Sequence, residues 1–167
     1  DQLGIVLNLI PAWPEDPSEE SRDAAVGVDA IHNRLFAAAV LEGRYPDIVL
    51  GYMEEYGVRP LVDTEQLASI VEPIDFLGVN YYNINHIAHE PGAAILPLWP
   101  GPKEAILATP PGPLTEMNWG VEPIGLQWML NRVREWDPDL PIMIMENGAA
   151  YPDAVAEDGG IHDEQRI

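Results

Sequence analysis

Cysteine is absent, which excludes a disulfide framework, a thiolate zinc site and a cysteine nucleophile. Positive charge is scarce: 8 Lys+Arg face 28 Asp+Glu, a formal net charge of −20 over 167 residues. A surface so acidic repels phosphate backbones and anionic lipid, so neither nucleic acid nor a membrane is expected as a partner. No apolar run approaches the ~18 residues that span a bilayer. Serine occurs only as Ser18, Ser21 and Ser69, none of them in a Gly-x-Ser-x-Gly elbow, which argues against an acyl-transfer hydrolase. No glycine-rich phosphate fingerprint follows an apolar run, and a nucleotide-binding fold loses ground accordingly. The histidines, His32, His86, His89 and His162, are scattered and lack metal-ligand spacing. No metal and no cofactor is therefore expected.

What is present suffices for a core. Hydrophobic residues make up 47% of the chain, and its 17 prolines call for many fixed loops. Three short apolar runs, 3–10, 74–82 and 141–148, read as strands buried on both faces. Ala24, Val28, Ile31, Leu35 and Ala39 recur at helical spacing, with the acidic stretch 15–23 as a loop or first turn and Gly43 as the stop. A short helix is expected over 47–57, with Ile48, Leu50, Met53 and Tyr56 partly buried. Asp63-Thr64-Glu65-Gln66 reads as a capping box for a helix whose apolar face is Leu67, Ile70 and Val71. Residues 84–113 read as a long Pro/Gly-rich connection without periodicity, of the kind that is functional or disordered. Leu126, Met129, Leu130, Val133 and Trp136 mark a further helix.

Apolar strands alternating with helices imply right-handed crossovers and a parallel sheet. Polar residues stand at the C-terminal ends of all three runs: Asn8, then Asn80 with Tyr82, then Glu146 with Asn147. That is the edge where α/β barrels bind ligands, so the expected fold is a partial (β/α)8 TIM barrel of the α/β class, with 1–167 as one partial domain. The chain opens in a core strand and closes on His162–Ile167, which reads as a helix N-terminus. It is expected to be the interior of a longer protein.

Glu146 is the sharpest candidate for chemistry. A carboxylate directly after Ile-Met-Ile-Met is costly to bury unless paired; it either emerges into solvent or serves a site. Tyr82 and Asn80 occupy the same edge of a neighbouring strand, and a tyrosine hydroxyl can donate the bond that holds such a carboxylate ionised and oriented. An aromatic pair at a strand end, taken alone, is more often packing.

Glu146-Asn147-Gly148-Ala149-Ala150-Tyr151, preceded by Pro141-Ile142 and followed by Gly160-Ile161-His162-Asp163, closely resembles the nucleophile segment of glycoside hydrolase family 1, the retaining β-glucosidases. Gly4–Leu9 resembles the family's fifth barrel strand, His32–Phe36 with Gly43–Pro46 the following helix and turn, and Asp75–Tyr82 the sixth strand. The resemblance implies that Glu146 attacks the anomeric carbon, that Tyr82 hydrogen-bonds it, and that Asn80 supports the sugar-side polar network. Trp119 resembles the tryptophan that walls the leaving-group subsite; read alone it is as well a loop anchor. The implied substrate is a small β-glucoside or oligosaccharide.

Two departures stand out. Gly120 occupies the place where the family usually has an acidic residue after the tryptophan. The family's acid/base segment, at the end of the fourth strand, would lie upstream of Asp1, and part of its sugar-gripping region beyond Ile167. Glu72 and Glu122 both precede a proline and mimic the acid/base motif superficially. Glu72 falls at the opposite rim from Glu146, and nothing in the sequence raises the pKa of Glu122, so neither is expected to act as the acid. The 167 residues alone are accordingly expected to be inactive or nearly so, with the remainder of the barrel as a required partner. The rival readings are one piece of a split enzyme, and a non-catalytic remnant or carbohydrate-binding module.

Overall fold

A computed structural model describes residues 1–57, 63–93 and 101–166. In chain order the strands are β1 (Gly4–Asn8), β2 (Ala12–Pro14), β3 (Phe76–Asn80), β4 (Asn85–His89), β5 (Ala105–Leu107) and β6 (Ile142–Glu146). The helices are α1 (Glu19–Asp29), α2 (Leu35–Glu42), α3 (Asp47–Glu55), α4 (Thr64–Ala68) and α5 (Ile124–Trp136). A π-helical turn, Ala30–Arg34, joins α1 to α2.

The strands make two sheets. The first, in the order β1-β3-β6, is parallel throughout, as crossover connections require. Leu77, Val79 and Tyr81 point to one side of β3 and pack with Leu9 against Met129 and Val133 of α5. This is the core that the helical stripe predicts, with Leu126 and Trp136 half-buried at its margin. The opposite face carries Val6, Gly78 and Met145. A Cβ on Gly78 would lie 2.8 Å from both Met145 Cγ and Val6 Cγ2, so the two neighbouring side chains close over a backbone that only glycine leaves free.

Of the three strand runs only the middle one is buried on both faces, with Leu77, Gly78 and Val79 all buried in β3. Ile5, Val6, Met143, Ile144 and Met145 of the two outer strands are exposed, because α5 packs over the central strand and leaves the edges of the sheet largely uncovered. Residues 143–146 are consequently exposed although they read as core, and Ile142 is half-buried.

The second sheet is β2-β4-β5, and its strands β4 and β5 lie in the 84–113 segment expected to be a connection without periodicity, of which 94–100 falls outside the described residues. β2 pairs parallel with β4, and β4 antiparallel with β5. Each of β2 and β4 starts a few residues after a barrel strand, so the small sheet extends the C-terminal rim. Small side chains let α1 approach it closely: Ala24, Ala25 and Val28 pack on Ala12, Ile87 and Ala105.

Helix α1 begins in the acidic stretch, at Glu19. Ser18 Oγ caps it by accepting from the Ser21 N–H at 3.2 Å. Asp16 accepts from Ser18 N–H and Ser21 Oγ, both at 2.7 Å, which holds its carboxyl below the usual range. Contrary to the expectation that no run approaches a span, the helical stretch Glu19–Glu42 is long and apolar enough to cross a membrane, but most of it is buried inside the molecule. In the π-helical turn, fully buried Asn33 donates to Ile10 O at 2.8 Å and accepts from Ile10 N–H at 3.0 Å. That pair of bonds pins the chain just beyond β1.

Smaller expectations fail at helix ends. In α3 the buried residue is Val49, and Ile48 is exposed. Asp63 caps α4 through the N–H groups of Glu65 and Gln66, but the helix stops at Ala68, leaving Ile70 and Val71 exposed beyond it. The C-terminal segment begins no helix among the described residues; 164–166 is a turn. His86 and His89 both belong to β4, with His89 at its end.

Candidate active site

Strand register builds the site. Asn8 pairs with Asn80, and Asn80 with Glu146, so the three residues stand abreast at the C-terminal ends of β1, β3 and β6. The last pairing depends on a register shift: Val79 pairs with Ile144, but Asn80 with Glu146, two residues on. Strict alternation would put Glu146 on the side of Ile142, which packs toward α5. The bulge turns it to the open face.

There the Tyr82 hydroxyl donates a hydrogen bond to Glu146 Oε2. This bond raises the Tyr82 phenol above the ordinary tyrosine range, with burial and the Glu146 charge adding to it. Tyr82 also meets Trp119, ring centroids 5.7 Å apart at 45°. Asn80 Oδ1 is buried beside them with no hydrogen-bond partner, an acceptor left over for a hydroxyl donor. The residues predicted from the sequence, Glu146, Tyr82, Asn80 and Trp119, are thus brought to one rim.

The rim is braced from behind. Glu146 O accepts from Tyr81 N–H at 3.0 Å, and Asn147 Nδ2 donates to Tyr81 O at 2.8 Å, so the corner after β6 is fixed to the corner after β3. The Tyr81 hydroxyl donates to Glu122 O at 2.6 Å. Burial, then the Glu122 charge, pushes that phenol up to about 12.

Several residues here escaped the sequence reading. Arg166 donates to Ala149 O at 2.9 Å and Tyr151 O at 2.8 Å, and pairs with Asp153 at 3.0 Å. It thereby holds the loop that leaves Glu146. Its guanidinium also lies over the Tyr151 ring, 5.9 Å from the centroid. Asn33 and His86 bond to Ile10 and Glu122, which are remote in sequence, and no local signal marks either pairing. A cavity of about 280 Å³ opens on the rim between Tyr82, Thr115, Glu122, Asn147, Tyr151 and Arg166. Among the described residues no three His, Asp or Glu side chains gather as metal ligands. Glu72 precedes β3 at the far rim, and the Glu122 carboxylate is bound to His86.

This partial fold of parallel strands and helices is shared by solved β-glucosidases. The enzyme from Micrococcus antarcticus superposes with a TM-score of 0.85 at 34% identity, covering 99% of this chain and 38% of its own. The Thermotoga maritima family 1 β-glucosidase in complex with isofagomine lactam gives 0.83 at 33%, covering 99% and 35%. By sequence, β-glucosidase A of Thermotoga maritima is 34% identical over 167 residues, and the bifunctional β-D-glucosidase/β-D-fucosidase of Bifidobacterium breve 35% over 174. The chain covers 35% and 36% of those two relatives' lengths. Residues 1–167 match the profile of Glycosyl hydrolase family 1 from end to end, and the chain belongs to that family.

Proposed function

We propose that this chain is the strand-five-to-seven segment of a retaining β-glucosidase, with Glu146 as its nucleophile. The observation that carries the reading is the Tyr82 hydroxyl donating to Glu146 Oε2 at the barrel rim. A phenol in that place orients the carboxylate and supports its negative charge. In the first step a Glu146 oxygen forms a bond to the anomeric carbon as the glycosidic C–O bond breaks. A carboxylic acid elsewhere in the barrel, about 5–5.5 Å from Glu146 in this class of mechanism, gives its proton to the departing oxygen. In the second step a water, deprotonated by the same group, attacks that carbon and frees Glu146.

Asn80 Oδ1, buried without a partner, serves as acceptor for a sugar hydroxyl. Trp119, tilted against Tyr82, walls the leaving-group side. The partial barrel is supported by the open face of β1-β3-β6 and by an apolar groove of about 490 Å³ along β1, lined by Leu7, Leu9, Ile31, Leu35 and Val49 among others. General acid help is worth roughly 10²–10⁴-fold, so the isolated segment has little or no turnover.

The test is Glu146→Gly in the complete protein. Hydrolysis of an activated aryl β-glucoside should vanish, and added azide should restore turnover as the α-glycosyl azide, because the small anion fills the vacated face. Ordinary activity in this variant would remove Glu146 from the mechanism.

A further inference from the structure

A second carboxylate on the rim is bound in a way the proposed reaction does not use. His86, buried on β4, places Nε2 2.9 and 3.1 Å from the two oxygens of Glu122. Its Nδ1 faces Glu15 Oε2 at 3.4 Å, and Trp13 packs edge-on against the ring. The Glu122 side chain is only 13% exposed. Its backbone is held as well, since Glu122 O accepts from the Tyr81 hydroxyl at 2.6 Å and from Gly125 N–H at 3.1 Å.

Gly120 makes this possible. A Cβ there would lie 2.7 Å from Glu122 Oε1 and 2.7 Å from Pro110 Cβ. Any side chain at 120 would displace the carboxylate from His86 or the loop from its seat. The absence of a side chain at 120 and the inward turn of Glu122 are therefore one feature.

The same loop carries Trp119. Leu114 bridges to Gly120, Thr115 N–H donates to Trp119 O at 2.9 Å, and Trp119 N–H donates to Thr115 Oγ1 at 3.2 Å. These bonds close 114–120 on itself. Its downstream exit, at Glu122, is anchored by His86 and Tyr81. A rigid loop fixed at that exit delivers the indole to Tyr82 at one angle.

We propose that His86 and Glu122, brought together by Gly120, are positioning residues that set the Trp119 wall and so the preference for β-glucosides with planar aromatic leaving groups. The inference rests on the proposed β-glucosidase reading. An indole held at a fixed tilt stacks on an aryl ring, whereas a methyl leaving group offers it almost no face. A buried carboxylate stripped of its imidazole partner will turn toward water and carry the loop with it.

The experiment measures binding, so it does not depend on turnover. Calorimetric Kd values for 4-nitrophenyl 1-thio-β-glucoside and methyl 1-thio-β-glucoside are compared in the complete protein and its variants. Glu122→Ala should weaken the aryl ligand roughly tenfold, the size expected for a lost charged hydrogen bond, and the methyl ligand less than about twofold. Glu122→Gln, whose amide oxygen still accepts from Nε2–H, should stay near wild type. The double variant His86→Ala/Glu122→Ala should be no worse than Glu122→Ala alone, as expected of groups acting as one unit. If truncation unfolds the protein, His86→Phe/Glu122→Leu keeps the volume filled and should show the same loss of aryl preference. Equal weakening of both ligands, or of neither, overturns the inference and leaves the Glu146 assignment standing. Failure of the wild type to bind either ligand would overturn the proposed function, and the inference with it.

Discussion

The two sheets divide the labour of the molecule. The parallel sheet β1-β3-β6 buries one side of its central strand against α5 and leaves its other face open, with Glu146 and Tyr82 hydrogen-bonded at its C-terminal edge. The smaller sheet β2-β4-β5 carries no predicted site residue, is packed by α1 through alanines, and holds the rim loop through His86. In the proposed reading the first presents the chemistry and the second holds it still. Reactive groups sit where packing is sparse, and their precision comes from a neighbouring unit that is closed.

That division breaks most sharply at Ile87, which is fully buried in the small sheet. Ile87→Ala should cost about 2–5 kcal/mol of stability, read by denaturant unfolding of the complete protein. Below its melting temperature the same variant should keep kcat/KM within about twofold. Tyr82→Phe should do the reverse, lowering kcat/KM by about 10–10²-fold, the effect of losing one hydrogen bond to a charged group, while the unfolding midpoint stays put. A similar loss of activity in both variants would dissolve the distinction.

Ser18→Ala sharpens it on the scaffold side. Loss of the cap on α1 should cost about 1 kcal/mol, again with kinetics unchanged. The smallest effect concerns His32, whose pKa burial lowers below 6.5 against the opposing charge of Asp29. In the window just below 6.5 the unfolded chain binds the proton more readily than the folded one, so this group makes stability rise with pH there. Acidification through that window should cost the wild type stability relative to His32→Gln, measured as the difference between their melting curves at pH 7 and at pH 5.5.

Much of this was legible beforehand where the signal is local. The apolar runs, the stripe Met129–Val133 and the polar strand ends each declare themselves within a few residues, and they led to the rim and to Glu146. The sequence of 84–113 does not announce β4 and β5, because β5 is only three residues long and prolines crowd the segment; pairing, not composition, makes them strands. Burial of β6 was misjudged because an apolar run states preference for a core and not whether one covers it. His86 and Glu122 lie thirty-six positions apart, and neither carries a local mark of the other.

By itself, then, the order of residues determined the three strands of the parallel sheet, the main helical stripes, and which carboxylate ends the last strand. Only the assembled sheet decided where that carboxylate points. Alternation along β6 sends Glu146 toward the helix side, and the slip in register opposite Asn80 sends it to the open face beside Tyr82. Periodicity belongs to one strand and register to a pair of them, so the second is a property of the tertiary structure.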